Sequence, residues 1–504
     1  MPRTPLALPI DHTLTAECDR TTLALVAYPP IAGGSFWASW RPSGVGQMSH
    51  QSPEPAPPWK VAVVAVSLGI ALAAAPGASA ARPGSLVQLR GELGCVTVGA
   101  AGTCAGGRAI GAPFDIAISR DGRHAYVASV QHNAIAVFSR SRRRGWLRQL
   151  PGRRGCIRHQ GGQGCARGRA LADPWQVRVS PDGRNVYAAS RSSHVLTVFK
   201  RNRRTGALRQ LRGRAGCLSR FGGSGCARAR ALAGAAAIRV SPDGRHVYVA
   251  SVGSDAVAVF KRNRRTGRLS QLRGSGGCVS QFPGGGCARG RALNGAIDVA
   301  LSRDGRHVYV ASFDGHGIAI FTRNPDGTLT QLPGPGGCIT QSGTEGCTSG
   351  RTLRKLLSLI VSPDGAQVYA AASSSIANLT RDPATGALTQ PAGPPGCVSE
   401  TLGGCTRARS ADDVTWISTS PDGRHLYLAS FGRVTVGAFS RSLGSGALTE
   451  LGGRDGCLGP QSVFGCRRAR AVRDILSLTV SPDGRNVYTA STGSDGIAVF
   501  RRVR

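Results

Sequence analysis

From residue 84 to the end of the chain, apolar and polar positions recur in one pattern about 60 residues long. The third copy is the clearest. Ala237–Val240 is a short apolar run. Ser241-Pro-Asp-Gly244 is a tight turn, in which Pro pre-sets φ and Gly supplies a positive φ. His246–Ser251 is rich in Val and Tyr, and Val252-Gly-Ser-Asp255 is a loop. Ala256–Phe260 alternates around Val257, Val259 and Phe260. Asn263-Arg-Arg-Thr-Gly267 is a second turn, and Arg268-Leu-Ser-Gln-Leu272 a fourth apolar–polar alternation. Short alternating runs between turn residues predict strands, and four of them predict one antiparallel sheet per repeat.

Seven copies align on their turn glycines, Gly122, Gly183, Gly244, Gly305, Gly365, Gly423 and Gly484. Each glycine is followed four residues later by a tyrosine: Tyr126, Tyr187, Tyr248, Tyr309, Tyr369, Tyr427 and Tyr488. Seven four-stranded antiparallel sheets in sequence predict an all-β, seven-bladed β-propeller over residues 84–504. The last copy ends after its third strand, at Ile497–Arg504. Gly84-Ser-Leu-Val-Gln-Leu89 reads like the fourth strands Arg268–Leu272 and Thr328–Leu332. Residues 84–90 are therefore expected to pair with the last blade, closing the ring and hiding its edge.

Ahead of the repeats the pattern changes. Residues 1–47 show no periodicity and read as a mis-assigned start or a disordered segment. Residues 48–80 read as a secretory signal peptide: Lys60 precedes the apolar run Val61–Ala75, and Ala78-Ser-Ala80 offers a small-x-small cleavage site. The apolar run is short for a membrane span, so none is expected in the mature form.

Cysteine usage agrees with export. Fourteen of the fifteen cysteines form close pairs, one per repeat. They are Cys95/Cys104, Cys156/Cys165, Cys217/Cys226, Cys278/Cys287, Cys338/Cys347, Cys397/Cys405 and Cys457/Cys466. These read as local disulfides in the loops leading to the next blade. Two cysteines with no repeating His or third Cys cannot complete a tetrahedral zinc shell, so no metal is expected. No cofactor motif is present either.

Charge adds a second constraint. The chain carries a formal +36, and the four basic residues before position 82 are balanced by four acidic ones. Only four residues are Lys, so the excess is Arg. Such a surface attracts polyanions in a salt-dependent way; a GC-rich coding sequence would give the same composition. An acidic cell-envelope polymer or a protein is the expected partner. Aromatic residues are few and sit in the repeat register, so nucleic acid is not expected as a specific target.

An Arg follows each second cysteine by four residues in all seven repeats: Arg108, Arg169, Arg230, Arg291, Arg351, Arg409 and Arg470. Seven-fold identity suits structure better than catalysis, which needs asymmetry. Asymmetry appears four and two residues before each turn Ser. There the innermost strands carry Asp115, Gln176 with Arg178, Arg239, Asp298 and Trp416. As a site, Arg178 and Arg239 would grip a carboxylate, and Asp115 or Asp298 would act as base. Gln176 and Trp416 complete the candidate ligand-binding set. The alternative is that acids and arginines neutralise one another. His132, His194 and His316, in the top loops of blades one, two and four, are the candidate acid–base histidines.

The segments Ser-Pro-Asp-Gly-Arg-x-Val-Tyr-Val-Ala-Ser, Ser-Asp-x-Val-Ala-Val-Phe and Thr-Gly-x-Leu resemble the YVTN-type repeats of the lactonase-like seven-bladed β-propeller family. The resemblance spans residues 84–504. It implies the propeller fold and, among its enzymes, 6-phosphogluconolactonase or carboxymuconate-lactonising activity. Enzymes of that family usually carry a His-Pro-x-His-type segment on the innermost strand. The equivalent stretches here are Ala112-Pro-Phe-Asp115 and Asp173-Pro-Trp-Gln176. The reading drawn from the sequence is a secreted, non-catalytic propeller that binds a ligand, protein or envelope polymer on its top face. Two alternatives stand beside it: a lactone hydrolase or lactonising enzyme, and a polyanion-binding protein.

Overall fold

In the computed structural model, residues 81–282, 284–461 and 465–504 are described. The expected start segment 1–47 and signal peptide 48–80 lie outside them. Seven sheets follow one another along the chain, one per repeat, and the protein is a seven-bladed β-propeller.

Blade one shows the plan. β4 (Pro113–Ile118) is innermost, followed outward by β5 (His124–Ser129) and β6 (Ala134–Arg140). The three are antiparallel. The seven-residue β6 is longer than any single partner outside it. Its end pairs with β7 (Leu147–Gln149) and its start with β8 (Cys156–His159). Between these two halves the chain makes a 3-10 turn at Gly152–Gly155. β9 (Ala166–Gly168) then pairs parallel to β8 at the outer edge. Each blade is thus a mixed, six-stranded sheet rather than the expected four-stranded antiparallel one. The fourth strand is broken by the 3-10 turn, and a parallel segment lies beyond it.

This corrects the expected place of the cysteines, which are not in free loops between blades. Cys156 opens β8 and pairs with Cys165, just before β9, with a Cα–Cα distance of 4.8 Å. The disulfide therefore staples the returning hairpin to the blade's outer edge. The other six pairs repeat the arrangement: Cys95–Cys104, Cys217–Cys226, Cys278–Cys287, Cys338–Cys347, Cys397–Cys405 and Cys457–Cys466. In each, the first cysteine opens a strand. The second directly precedes the outer parallel strand. Cys104 leads into Ala105–Gly107, Cys226 into Ala227–Arg228 and Cys287 into Ala288–Arg289. Cys347 leads into Thr348–Ser349, Cys405 into Thr406–Arg407 and Cys466 into Arg467–Arg468. The sequence did not show this, because the outer strand is too short to carry an alternation.

The seventh blade is assembled from both ends of the chain. Its inner strands are Ile475–Val480, Asn486–Ser491 and Gly496–Arg502. β1 (Leu86–Gln88) pairs with the last of these through Leu86 and Arg502, and β2 (Cys95–Val98) through Cys95 and Ala498. β3 (Ala105–Gly107) lies parallel to β2.

The core lies between blades. Tyr126, Tyr187, Tyr248, Tyr309, Tyr369, Tyr427 and Tyr488 are all fully buried, as are Phe138, Phe199, Phe260, Phe321 and Phe439. A buried phenol needs a hydrogen-bond partner. Tyr187 donates to the carbonyl of Gly267 on the next blade (3.1 Å) and accepts from Arg262 (2.6 Å). The Arg262 side chain is wholly buried. It also donates to the Gly244 carbonyl (2.9 Å), to both oxygens of Asp182 (3.0 and 2.9 Å) and to Asn185 Oδ1 (2.7 Å). The same Arg–Tyr bond recurs between every pair of neighbours, from Arg201, Arg323, Arg381, Arg441, Arg502 and Arg140. It crosses the closure too, since Arg140 reaches Tyr488 and Asp483 of blade seven.

Candidate functional site

In each blade the chain enters its innermost strand from the top face through a residue in the left-handed region. These are Ala112, Asp173, Gly234, Gly295, Lys355, Asp413 and Asp474. Five of the seven are neither Gly nor Asn, and each is held by its surroundings. Immediately after it the strand bulges: pairing skips Phe114 in blade one and Trp175 in blade two. The bulge re-aims the side chains that follow.

Below the bulge lies the polar set anticipated on blades one to four. Arg178 donates to Asp115 at 2.5 Å, and Asp115 also accepts from Val177 N–H (2.9 Å) and the Ser477 hydroxyl (2.8 Å). Gln176 repeats the motif one blade on, accepting from Ile238 N–H (2.6 Å) and Arg239 (3.2 Å). Arg239 also reaches Asp298 at 3.2 Å, and Asp298 accepts from Leu359 N–H at 2.9 Å. The set is thus a chain of cross-blade bonds around the channel. Trp416 caps it from the far side, with the Arg178 guanidinium 5.6 Å from its ring centre. Asp115 and Asp298 are almost wholly buried, whereas Arg178 and Arg239 keep 18 and 19 % of their side chains exposed. Burial pushes the Asp298 carboxyl up and draws Arg239 down to about 10, where it is still charged at neutral pH. The geometry makes the carboxylates counter-ions and the guanidinium groups the accessible partners for an anion or carbonyl oxygen.

The histidines are placed differently. His194 Nδ1 accepts the Gly234 N–H of the next blade at 2.9 Å, and His316 Nδ1 lies 3.2 Å from Lys355 N–H. Both occupy a register that other blades fill with Asn133, Asp255 and Asp495. Those residues accept the corresponding N–H of Asp173, Gly295 and Ala112, each at 2.7 Å. His194 is therefore an interblade clasp on a left-handed entry residue, whereas His316 Nδ1 lies nearer the Phe313 carbonyl of its own blade (2.9 Å) than Lys355 N–H. His132 is one position earlier and holds Gly111 N–H at 2.8 Å within its own blade. Burial first, and then nearby Arg158 or Arg220, holds His132 and His194 below the ordinary imidazole value. The three are spread around the rim and do not join the Arg178–Asp115 cluster through any hydrogen bond.

Above the cluster, residues not singled out from the sequence form a polar and aromatic shelf. Trp175 stacks on Phe114, with ring centres 4.4 Å apart, and donates to Asp173 at 3.1 Å. The Arg191 guanidinium lies 4.2 Å from the Trp175 ring centre. Burial draws Arg191 down, against the attraction of Asp173 and Asp314. Asp173 is fixed by the Ser192 hydroxyl at 2.5 Å. The available signal was a break in the repeat: Trp175 is the one Trp at its register, and Arg191 stands where blades four and six have Phe313 and Phe431. Farther round, the buried Asp413 carboxyl is pushed up to about 7 by burial and by neighbouring Asp412.

The invariant top-face arginines prove structural. Arg108 donates to the Gly152 (3.1 Å) and Gly164 (3.4 Å) carbonyls of the disulfide hairpin, and Arg470 does the same for Gly91 and Thr103 across the closure. No group of three or more His, Cys, Asp or Glu able to hold a metal occurs among the described residues. Nor is any described helix long and apolar enough to cross a membrane.

The family model for lactonases with a seven-bladed β-propeller matches residues 100–217 and 223–275. The seven blades of the chain agree with the fold that this family model describes. Similar solved structures include a 6-phosphogluconolactonase-like protein of Bacteroides fragilis, described as putative: it is 21% identical over 67% of this chain and 82% of its own, with a TM-score of 0.48. The periplasmic gluconolactonase of Pseudomonas aeruginosa is 17% identical over 67% of this chain and 83% of its own, with a TM-score of 0.47. No curated protein matches the chain.

Proposed function

We propose that this propeller acts on lactones, binding the ring at the top mouth of its channel against Arg178 and Arg239. The match to the lactonase family model carries the reading, because it runs over the blades that hold Asp115, Gln176, Arg178 and Arg239. Hydrolysis adds water across the ring ester: the carbonyl carbon gains an oxygen, the ring C–O bond breaks, and a hydroxy acid forms. A guanidinium already locked on a carboxylate needs no reorganisation to meet charge developing on the carbonyl oxygen. Asp115 and Asp298 serve as positioning residues, since both oxygens of each already accept hydrogen bonds. The aromatic shelf of Phe114 and Trp175 offers an apolar wall for the ring. Seven disulfides suit an oxidising compartment, and we read residues 48–80 as the leader that takes the chain there.

The saturation of Asp115 and Asp298 favours a second reading, a binder of an acidic envelope polymer or protein without turnover. Acid release from a panel of five- and six-membered lactones separates the two. Saturable turnover that is lost when Arg178→Ala is combined with Arg239→Ala supports the first. Binding of the corresponding hydroxy acids without turnover supports the second.

A further inference from the structure

The bottom face carries an asymmetry that the repeat does not require. The turn after the third strand reads Ser141-Arg-Arg-Arg-Gly145, Asn202-Arg-Arg-Thr-Gly206 and Asn263-Arg-Arg-Thr-Gly267 in blades one to three. In blades four to six it reads Asn324-Pro-Asp-Gly327, Asp382-Pro-Ala-Thr-Gly386 and Ser442-Leu-Gly-Ser-Gly446. In this turn blades one to three thus present seven arginines and no acid, and blades four to six two aspartates and no arginine. The five-residue turns of blades five and six close with the same Gly N–H to first-residue carbonyl bond as those of blades one to three, while blade four has a turn one residue shorter. Asn202 and Asn263 cap their turns from Oδ1, and Asp382 does so equally. Turn formation therefore does not explain the arginines.

All seven side chains are exposed, and none enters an ion pair among the described residues. Between blades seven, one and two they border an open cleft of about 700 Å³, lined by Arg120, Arg123, Arg142, Arg203 and Arg204. Its two acids are already engaged from beneath, Asp121 by Arg201 (3.0 Å) and Asp483 by Arg140 (3.1 Å). At the first turn, blades two, three, five, six and seven place Pro where blade one has Arg120. The first turns of blades four, six and seven also carry arginines, Arg303, Arg306, Arg424 and Arg485, so it is the second turn that sets blades one to three apart, on the face opposite the channel mouth.

We infer that the bottom face of blades one to three is a binding site for a linear acidic polymer bearing phosphate or carboxylate groups. The guanidinium forks suit either anion. The exposed phenylalanines, Phe221 and Phe282, lie in the disulfide hairpins rather than among these turns. Beside the three turns only Trp146, half-buried after Gly145, is aromatic, too little for the row of platforms on which successive bases stack. Such a site would hold the protein on an acidic matrix while leaving the top mouth open.

The test uses full purified protein with inorganic polyphosphate and polygalacturonate as probes. One variant changes Arg142, Arg143, Arg203, Arg204, Arg264 and Arg265 to Gln. A control with the same charge changes Arg153, Arg154, Arg212, Arg214, Arg273 and Arg289 to Gln. Six engaged charges give a log–log salt slope near about −4, a loss of roughly 300-fold for a four-fold rise in salt. We expect the turn variant to lose most of that slope and the control to keep it; the tighter probe identifies the anion. Equal losses in both variants, no binding of either probe, or tighter binding of single-stranded DNA than of both would overturn the assignment. Lactone turnover should be unchanged in the turn variant, so the two sites fail or stand separately.

Discussion

Replacing Arg262 by Ala isolates the interblade clasp on which the ring depends. The wild-type guanidinium is fully buried and gives five hydrogen bonds to four groups. Truncation affects those partners unequally. Tyr187 keeps its bond to Gly267, and Asp182 is 26% exposed, so it can hydrate while retaining Ser180 and Arg184 N–H. The Gly244 carbonyl and Asn185 Oδ1 lose a strong donor in a buried setting, at ~1–3 kcal/mol each. The loss of packing along the Arg stem adds to this. The sum agrees with the ~3–5 kcal/mol typical of breaking one half of a buried ion pair. Arg262→Lys should recover less than half, because an ammonium cannot reproduce the planar fork. Arg265→Ala, three residues away and exposed, should stay within about 0.5 kcal/mol of wild type. Denaturant unfolding with the disulfides intact, followed by tryptophan fluorescence, measures all three. If Arg262→Ala costs no more than Arg265→Ala, the clasp carries no weight and the stability of the ring lies elsewhere.

Three further outcomes follow from the same geometry. His124, His246, His307 and His425 accept from a buried Arg through Nδ1, and burial with that Arg holds each below the ordinary imidazole value, His124 at about 4. Below pH 6.5 the unfolded chain therefore takes up protons first, so stability falls as pH drops from about 6.5 toward 4. Changing all four to Asn, which already does this work at Asn185 and Asn486, should flatten that fall in melting temperature; parallel curves would refute it. Removing one staple as Cys278→Ser with Cys287→Ser should cost ~2.5 kcal/mol for a loop this short, read by denaturant unfolding, and no loss would mean that the hairpin is held by Arg230 alone. Deleting residues 84–90 removes the Leu86–Arg502 pairing, the Gln88 bonds to Gly94 and Arg470, and the acceptor of Tyr427. The melting temperature should drop by many degrees, and an unchanged melt would exclude a closing role for this strand.

The ring was legible because its constraints repeat. A glycine with φ between +67° and +78° recurs at every first turn, and a buried Tyr must recur where blades meet. The arginine ending each third strand, Arg140, Arg201, Arg262, Arg323, Arg381, Arg441 and Arg502, was equally regular. It was not singled out, because it borders exposed arginines in the same turn, and sequence does not distinguish a buried guanidinium from its hydrated neighbour. The outer parallel strand was not legible, since two or three residues carry no periodicity. Without it, the pairing of Cys104, Cys226, Cys347, Cys405 and Cys466 with their partners could be read from spacing, but not the blade edge that each one anchors. At the channel, the members Asp115, Arg178, Arg239 and Asp298 were found from their break with the repeat. That acids and arginines neutralise one another is the alternative reading, and Arg178–Asp115 and Arg239–Asp298 form such ion pairs; which partner each takes was not legible, because the bonds cross blades at separations near 60 residues and run through backbone N–H groups that have no sequence signature. The register of His194 was hidden for a related reason: Asn and Asp fill it elsewhere, and the common property is an acceptor atom rather than an acid–base group.

The most direct measurement is kcat/KM for the best lactone in wild type, Trp175→Ala and Phe114→Ala, taken together with their melting temperatures. The account predicts saturable turnover in wild type and a fall of at least tenfold in both variants, with each melt shifted by only a few degrees. Absence of turnover in wild type, or turnover unaffected by both substitutions, would contradict it.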